Sequence, residues 1–287
     1  MNDIQKKILE IFKIVAQLCD ENNIHYFAIG GSCIGAVRHN GFIPWDDDID
    51  IAIPIEEFDN FLKIMEEKLP NNLKIYSASN VRHFGNMFVK IIDINTTFIE
   101  QEEYEFIDAY KGIFVDIMPI SGIPENKLKQ KYFSLKLRIL SFFNYLIRYP
   151  RKNMSNSLKK ILWDLAFFIR KNVSYKYFSD KYYEVLKNYP FYTSKYTGYV
   201  WVKLEKNLIF QQKYFKERIK IPFEDIEMFC PKGWHEYLTK QFGDYMKLPP
   251  IEDQKSLHSG IINLEKSFIE YQRERELKEH SCILKNK

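Results

Sequence analysis

Cysteine is scarce in this sequence, and the few cysteines lie far apart. The four, Cys19, Cys33, Cys230 and Cys282, form neither a Cys-x-x-Cys pair nor the spacing of a zinc site. This excludes a disulfide-dense secreted scaffold and a cysteine-based zinc centre. We predict that these residues are reduced, mostly structural thiols in a reducing compartment.

Long hydrophobic runs are missing as well. A membrane-spanning helix needs about 18 to 20 apolar residues in a row, and no such stretch occurs in the chain. The first residues also lack the pattern of a cleavable leader. The composition, 46% hydrophobic and 28% charged, is that of a folded protein rather than a disordered one. We therefore expect a cytoplasmic protein.

The net charge of +4 conceals an uneven distribution. Residues 125–187 contain 15 Lys and Arg against 4 Asp and Glu, so the rest of the chain is acidic overall. A basic segment of this kind usually meets phosphate, nucleic acid or an anionic membrane surface. The alternative is a helical insertion that packs on the protein and lays its lysine side chains along the surface.

Carboxylates are concentrated at one place, where Asp46, Asp47, Asp48 and Asp50 lead into the apolar run 51–53. Negative charges beside a buried strand are costly unless a cation lies among them. Mg²⁺ (or Mn²⁺) is the natural candidate, because hard cations prefer carboxylate oxygen and bridge to phosphates. Asp48 and Asp50 are two apart on a predicted strand, so they share a face and reach one metal or two. The alternative is a solvated acidic loop.

A third carboxylate, Asp116, lies in a predicted strand whose other residues are apolar. A lone buried Asp is costly unless it is paired or bound to a metal. We therefore group Asp116 with Asp48 and Asp50, and take it as the candidate carboxylate that polarises or deprotonates a reacting hydroxyl. The alternative is an Asp that caps a turn at a strand end. Asp46 and Asp47 are predicted to lie outside this group.

Groups suited to a diphosphate occur nearby. Gly30, Gly31 and Ser32 stand between a predicted strand and a predicted helix, where glycine permits close approach and a helix N-terminus offers N–H groups. Arg38 is the preferred fixed cation, since a guanidinium binds phosphate in a bidentate fork. Lys90, on an otherwise apolar strand, is the second cation. The alternatives are that the Gly-Gly-Ser stretch is an ordinary turn, that Arg38 is a surface arginine and that Lys90 is a structural lysine.

Helix and strand patterns alternate irregularly in the first 124 residues. Several predicted strands are too close in sequence for βαβ crossovers, so an α+β fold around a mixed sheet fits best. Helices are predicted over residues 3–21, 32–39 and 55–69, and strands over 25–29, 49–53, 73–77, 86–92, 96–100 and 113–118. Pro119, together with the Gly122-x-Pro124 pair, is expected to end this first unit of the chain. Basic helices follow over 128–149 and 158–171, and a further helix over 234–241.

Residues 30–53, with their Gly-Gly-Ser turn and Asp-x-Asp strand, resemble the signature of the LicD family of phosphocholine transferases. Two later stretches, 89–100 and 231–250, match the same family in the same order. Together with Asp116, the pattern is similar to the nucleotidyltransferase (polymerase-beta-like) superfamily, and animal fukutin-type proteins resemble the same family. The resemblance covers about residues 20–120 and 200–258, with Ser32-Cys33 where the family more often has Thr-Leu.

The resemblance implies a nucleotidyltransferase-like fold: a mixed sheet with flanking helices and a basic helical insertion. We divide the chain into a catalytic domain (residues 1–124), the basic helical insertion (125–198) and a C-terminal part (199–287) that completes the catalytic domain and ends in a polar tail. No recognisable motif of the family falls between residues 125 and 195.

The resemblance also implies an activity, the metal-dependent transfer of phosphocholine from CDP-choline to a hydroxyl of a cell-surface glycan, with CMP as the leaving group. The glycan would be lipopolysaccharide, teichoic acid or capsule. The metal and catalytic residues carry over onto Asp48, Asp50 and Asp116. Another CDP-activated group, such as ribitol or glycerol phosphate, is the alternative, since nothing in the sequence selects choline.

Two functions of other classes stay open at this point. One is a non-catalytic, membrane-associated assembly protein that keeps the fold. The three carboxylates Asp48, Asp50 and Asp116 argue against it, because such a protein has no need of them. The other is nucleic-acid binding by the basic segment, against which the lack of any RNA- or DNA-reading module argues. We expect no nucleic-acid partner, and we keep peripheral contact of residues 125–171 with the anionic inner face of the cell membrane as an alternative to packing on the domain.

Overall fold

The computed structural model describes residues 1–82, 84–100, 111–148, 172–200, 204–256 and 260–275. The helices are α1 (Asp3–Glu21), α2 (Gly30–Ile34), α3 (Ile55–Lys68), α4 (Lys127–Arg148), α5 (Tyr177–Lys187) and α6 (Trp234–Phe242). The strands are β1 (Phe27–Ala28), β2 (Asp50–Pro54), β3 (Leu73–Tyr76), β4 (Val89–Asp93), β5 (Thr97–Glu100), β6 (Phe114–Ile123), β7 (Tyr196–Tyr199), β8 (Phe210–Gln211), β9 (Arg218–Phe223), β10 (Ile226–Pro231) and β11 (Gly260–Asn263). The predicted α+β class is confirmed.

Seven of these strands form one sheet in the order β1-β2-β6-β4-β3, with β7 paired to β6 and β8 paired to β7. β2 and β6 run parallel, whereas the other pairs of this sheet are antiparallel. The predicted mixed sheet is therefore confirmed. Two antiparallel pairs, β9 with β10 and β5 with β11, lie outside it.

β6 is the central strand, and all ten of its residues are buried. The strand predicted over 113–118 is longer than expected, since it continues through Pro119 to Ile123. On one side of β6, β4 pairs with residues 114–117 and β7 with residues 120–123, so Pro119 lies between the two partners. The N–H of Asp116 donates to Ile49 on the opposite side (2.9 Å). N–H groups point alternately to the two sides of a strand, so an N–H at residue 119 would point into the gap between β4 and β7. Proline lacks this N–H, and no hydrogen bond of the sheet is lost there.

α1 confirms its prediction at both ends, and its start is fixed by local hydrogen bonds. The N–H of Gln5 donates to the side chain of Asn2 (2.8 Å), and the N–H of Asn2 donates back to Gln5 (3.0 Å), a capping box. The buried face of the helix includes Ile8, Phe12 and Val15. α1 and α3 contact each other and β6, so they cover one side of the central strand.

The segment between β1 and β2 departs from prediction in two details. β2 begins at Asp50, so Asp48 precedes the strand and does not share a strand face with Asp50. The helix predicted over 32–39 is α2 continued by a π-helical turn, Gly35–His39. That turn ends at Asn40, whose left-handed backbone (φ 53°) reverses the chain toward the acidic segment.

α4 lies at the start of the predicted insertion. It matches the basic helix predicted over 128–149 as far as Arg148, where this range of described residues stops. α4 and α5 contact each other, and α5 also contacts α3 and β6. The helix predicted over 158–171 lies outside the described residues, and the three-part division of the chain stays a prediction. Within the described ranges, no helix combines the length and apolarity needed to cross a bilayer.

Candidate active site

Three ionisable side chains lie in one row across the middle of the sheet. Asp50 on β2 is in register with Asp116 on β6, and Asp116 is in register with Lys90 on β4. Residues in register on neighbouring strands project from the same face of a sheet. The fold therefore places two carboxylates and an ammonium side by side, although they are far apart in the sequence.

Lys90 and Asp116 form a buried ion pair, with 3.7 Å between Lys90 Nζ and Asp116 Oδ1. Only 10% of the Lys90 side chain and 5% of the Asp116 side chain are exposed. The ammonium also lies 3.1 Å from the centre of the Phe114 ring, whose face attracts a cation. A buried pair of this kind holds its charges in fixed places, because neither side chain can turn to water.

The pKa of the Asp50 carboxyl departs strongly from its ordinary value. Burial raises its pKa well above the ordinary value for Asp, and the nearby carboxylates of Asp48, Asp116 and Asp46 raise it further, while Lys90 lowers it. Its Oδ1 atom is buried and has no hydrogen-bond partner among the described residues. Such an oxygen is costly to leave unsatisfied. The site is therefore short of positive charge at Asp50.

The two glycines of the Gly-Gly-Ser turn leave room for these carboxylates. A Cβ atom on Gly31 would lie 2.6 Å from Asp46 Oδ2, inside contact distance, and one on Gly30 would lie 3.4 Å from Asp50 Oδ2. Gly30 also has a positive φ of 55°, which side chains disfavour. Close approach of the Asp46 carboxylate accounts for Gly31, and the left-handed backbone accounts for Gly30. The predicted contact of both glycines with a diphosphate stays a prediction.

Hydrogen bonds from distant parts of the chain hold this turn. The Oγ of Ser32 accepts the N–H of Asp50 (2.8 Å), and the hydroxyl of Tyr237 on α6 accepts the N–H of Gly30 (2.8 Å). The Tyr237 hydroxyl lies 2.9 Å from that of Tyr199, which donates to Gln241 (2.6 Å). The sequence did not reveal this support, because Tyr237 lies on the apolar face of its helix and looks like an ordinary core residue.

Arg38 lies at the end of the π-helical turn and is half-buried. Its Nε donates to Nε2 of His39 (2.9 Å), and its Nη1 donates to the backbone carbonyl of Tyr245. Burial and the neighbouring guanidinium lower the pKa of His39, which keeps that ring able to accept the bond near neutral pH. These bonds orient Arg38, and its role with a diphosphate stays a prediction.

Asp46 and Asp47 lie in the loop before β2, and their place outside the main group stays a prediction. The backbone carbonyl of Asp46 accepts from the Gln5 side chain (2.8 Å), which ties the loop to α1. Asp47 is buried, and its carboxylate accepts from the hydroxyl of Ser256. Two neighbouring residues of the acidic segment are therefore anchored, and the segment is not a freely solvated loop.

The residues present fit a hard divalent cation by their chemistry. Carboxylate oxygen is the ligand that Mg²⁺ prefers, and the buried Oδ1 of Asp50 lacks a hydrogen-bond donor among the described residues. Within that part of the chain, however, no three His, Cys, Asp or Glu side chains are arranged to hold a metal ion together. The magnesium or manganese site at Asp48, Asp50 and Asp116 therefore stays a prediction.

The arrangement suits chemistry on a charged phosphate. A carboxylate held at a fixed position serves as a proton acceptor, and fixed cations stabilise the negative charge that develops during transfer. Asp116 and Lys90 provide one such pair, and Asp50 adds a carboxylate whose charge requires a partner. These groups lie on rigid strands, which is where a site is held most accurately.

Comparison with known proteins places the chain among phosphotransferases. The family described as LicD/FKTN/FKRP, nucleotidyltransferase domain, matches residues 23–152. The chain is 30% identical over 275 residues to the lipopolysaccharide cholinephosphotransferase LicD of Haemophilus influenzae, covering 90% of this chain and 96% of that protein. The resemblance seen in the sequence is therefore confirmed.

Two shorter similarities add to this. The ribitol 5-phosphate transferase FKRP of Mus musculus is 34% identical over 55 residues, 19% of this chain and 11% of that protein. Among solved structures, a terminal uridylyl transferase 4 from Trypanosoma brucei aligns with a TM-score of 0.24 and 8% identity over 50% of this chain and 44% of that one, too low a score to support an argument. The near full-length match to LicD decides the assignment: this chain belongs to the LicD/FKTN/FKRP family and is a LicD-like transferase.

Proposed function

We propose that this protein is a metal-dependent phosphotransferase that moves phosphocholine from CDP-choline to a hydroxyl of a cell-surface glycan, such as lipopolysaccharide, teichoic acid or capsule. The observation that carries the proposal is the row of Asp50, Asp116 and Lys90 beside Gly30 and Gly31, in which the pair of Asp116 and Lys90 is buried. The similarity to a lipopolysaccharide cholinephosphotransferase supports the choice of group and acceptor. We also propose a nucleotidyltransferase-like architecture for the catalytic domain.

Asp116 and Lys90 have distinct tasks in this proposal. In-line phosphoryl transfer needs little covalent help and depends on positioning and on neutralisation of charge. Asp116 accepts the proton of the acceptor hydroxyl as the oxygen attacks phosphorus, and CMP departs. Lys90, 3.7 Å from Asp116, keeps a positive charge next to the developing negative charge.

The donor diphosphate is proposed to lie near Gly30, Gly31 and Ser32, with Arg38 as its fixed cation. A divalent cation held by Asp48, Asp50 and Asp116 would neutralise phosphate charge and lower the cost of the acceptor's ionisation. The buried Asp50 oxygen without a hydrogen-bond partner in the described chain supports this choice of ligand.

A second candidate keeps the mechanism and changes the group transferred. The similarity to a ribitol 5-phosphate transferase spans 55 residues of the chain and supports ribitol phosphate as the alternative, with glycerol phosphate as a chemical relative. The two candidates differ in the donor alone, so a donor panel separates them.

The test is release of CMP from a panel of donors. Purified protein with Mg²⁺ and an acceptor glycan is given CDP-choline, CDP-ribitol or CDP-glycerol, and CMP is measured by chromatography. We expect turnover with CDP-choline and its loss when EDTA is added. Turnover confined to CDP-ribitol or CDP-glycerol would replace the first candidate with the second.

Variants assign the chemistry to the row. Asp50→Asn and Asp116→Asn are expected to lower kcat about 100-fold or more. The first removes a proposed ligand of the cation, and the second removes the proton acceptor, which typically contributes that much. Asp59→Asn is the matched control, since Asp59 is a highly exposed carboxylate on α3 that pairs with Lys187. No turnover with any donor would favour a non-catalytic assembly protein. Unchanged turnover in both row variants would show that Asp50 and Asp116 do not carry the chemistry, and would overturn the proposed roles of the row.

A further inference from the structure

α4 exposes an apolar stripe to solvent. Large apolar side chains recur at the alternating spacing of four and three that keeps them on one face of a helix. These side chains are between 44% and 74% exposed: Leu128, Tyr132, Leu135, Ile139 and Phe142. Scattered exposed hydrophobics are ordinary, whereas a contiguous stripe on one helix marks an interaction surface.

The opposite face of α4 is packed against the protein, so the stripe is not a misplaced core face. Phe133 and Leu137 are buried on that side, and the side chain of Asn144 donates to the carbonyl of Gly85 (2.9 Å). Arg148 at the end of the helix is buried as well. The helix is therefore held on one side and presents an apolar surface on the other.

Cations border the stripe on both sides. By helical spacing, Lys127, Lys131 and Arg138 lie along one edge, and Lys129 and Lys136 lie along the other. All five side chains are exposed. Long basic side chains beside an apolar face are characteristic of helices that lie in the plane of a membrane interface.

A basic cavity adjoins one edge of the stripe. Its volume is about 910 Å³, and Lys127, Lys131 and Arg138 of α4 line it together with Lys206 and Lys240. Gln130, Ser134 and Gln211 contribute polar groups, and no acidic side chain is among its described lining residues. A space of this charge suits the phosphates of anionic head groups.

We propose that α4 binds the surface of an anionic lipid bilayer. The stripe enters the boundary between head groups and acyl chains, and the bordering cations and the basic cavity contact lipid phosphates. A bilayer satisfies both features at once, whereas a nucleic acid would leave the apolar stripe in water. This inference goes beyond the proposed transfer reaction and does not depend on it.

Sedimentation with vesicles tests the proposal on the full chain. Vesicles of phosphatidylcholine alone are compared with vesicles in which about a third of the lipid is phosphatidylglycerol, at low and high salt. We expect at least about 10-fold tighter binding to the anionic vesicles, and weaker binding at high salt. Failure to sediment with anionic vesicles, or equal binding to both kinds, would overturn the proposal.

Two double variants separate the apolar and basic contributions. Leu135→Glu with Ile139→Glu removes the centre of the stripe, and Lys131→Gln with Arg138→Gln removes two bordering charges. Each is expected to weaken vesicle binding about 10-fold while the melting temperature and the helical circular dichroism stay unchanged. The first variant should also keep its CMP release with a water-soluble acceptor, which keeps this test distinct from that of the transferase.

The control for charge is Lys63→Gln with Lys74→Gln, which removes two exposed lysines from α3 and β3. It should bind vesicles as the wild type does. Equal loss in this control would mean that overall charge, and not α4, governs binding. A wild-type dimer in solution that the stripe variant converts to a monomer would instead identify the stripe as an interface between two copies. Either result would overturn the proposal.

Discussion

At the scale of the residue, Asp50 shows a conflict between stability and chemistry. Its carboxyl is held by burial among other carboxylates, so its pKa is raised well above that of the unfolded chain. The folded state then binds the proton more tightly, and ionisation as the pH rises destabilises the fold. Asp50 therefore lowers stability near neutral pH when no cation accompanies it.

We predict that Asp50→Asn raises the free energy of unfolding in the presence of EDTA. In the wild type, the ionised Asp50 carboxylate destabilises the folded state. This destabilisation is absent below the pKa that Asp50 has in the unfolded chain, and it grows as the pH rises through the pKa that Asp50 has in the folded protein. The gain should therefore be larger at pH 8 than at pH 5. Urea unfolding at both pH values measures it.

Asp59→Asn serves as the control here too, since an exposed carboxylate should give little change at either pH. A variant that is less stable than the wild type at pH 8, or one whose gain is the same at both pH values, would contradict the assigned cause. A gain in stability together with a loss of turnover would mark Asp50 as a residue kept for function.

At the scale of the element, one buried side chain joins the C-terminal end of α4 to two other segments of the chain. Arg148 is fully buried, and its Nε donates to the side chain of Asn144 one turn earlier (2.8 Å). Its guanidinium also donates to the backbone carbonyls of Ala78, Val81, Arg82 and Tyr175. One arginine thus joins the end of α4 to the segment after β3 and to the segment before α5.

We predict that Arg148→Met lowers the free energy of unfolding by about 3 kcal/mol or more. Methionine fills much of the volume but leaves several buried carbonyls without donors, each of which costs about 1–3 kcal/mol. Arg138→Met on the exposed side of the same helix should change stability by less than about 0.5 kcal/mol. Urea unfolding of both variants gives the comparison, and equal effects would show that burial of Arg148 is unimportant.

At the scale of the whole molecule, the proposed cation should act on stability as well as on turnover. A ligand that binds the folded state alone stabilises it by mass action, about 2.7 kcal/mol at 100 times its dissociation constant. For a chain of this size we predict a rise in melting temperature of about 5 °C with saturating Mg²⁺ or Mn²⁺.

Variants locate that effect. Asp50→Asn and Asp116→Asn should abolish the rise in melting temperature, whereas Asp59→Asn should keep it. Differential scanning fluorimetry with EDTA, Mg²⁺ and Mn²⁺ measures the effect without any substrate. An equal rise in all three variants would place the cation elsewhere on the molecule, and the predicted metal residues would then be wrong.

The elements that the sequence predicted well are those fixed by neighbouring residues. The bounds of α1 were predicted from an apolar repeat, and the structure fixes its start with a capping box, both local features. α4 shows the limit of this reasoning, because it has apolar side chains on opposite faces. Periodicity alone does not tell which face is buried.

The same limit applies to the candidate site. A carboxylate within an apolar strand singles out Asp116 from sequence alone, since its burial is costly without a partner. The sequence did not predict which residues of the neighbouring strands lie in register with Asp116. The register of the sheet joins it to Lys90, 26 positions away, and to Asp50, 66 positions away. The bond from Gly30 to Tyr237 spans 207 residues and has no local signal.

By itself, the sequence determined the α+β class, the family, and the residue types that carry charge into a buried strand. Only the tertiary structure decided which charges meet, since pairing across a sheet depends on register and not on proximity in the chain. The tertiary structure also decided that β6 continues through Pro119. A proline interrupts a strand only where a neighbouring strand would accept a hydrogen bond from the N–H that proline lacks. Local chemistry chose the groups, and long-range packing arranged them into a site.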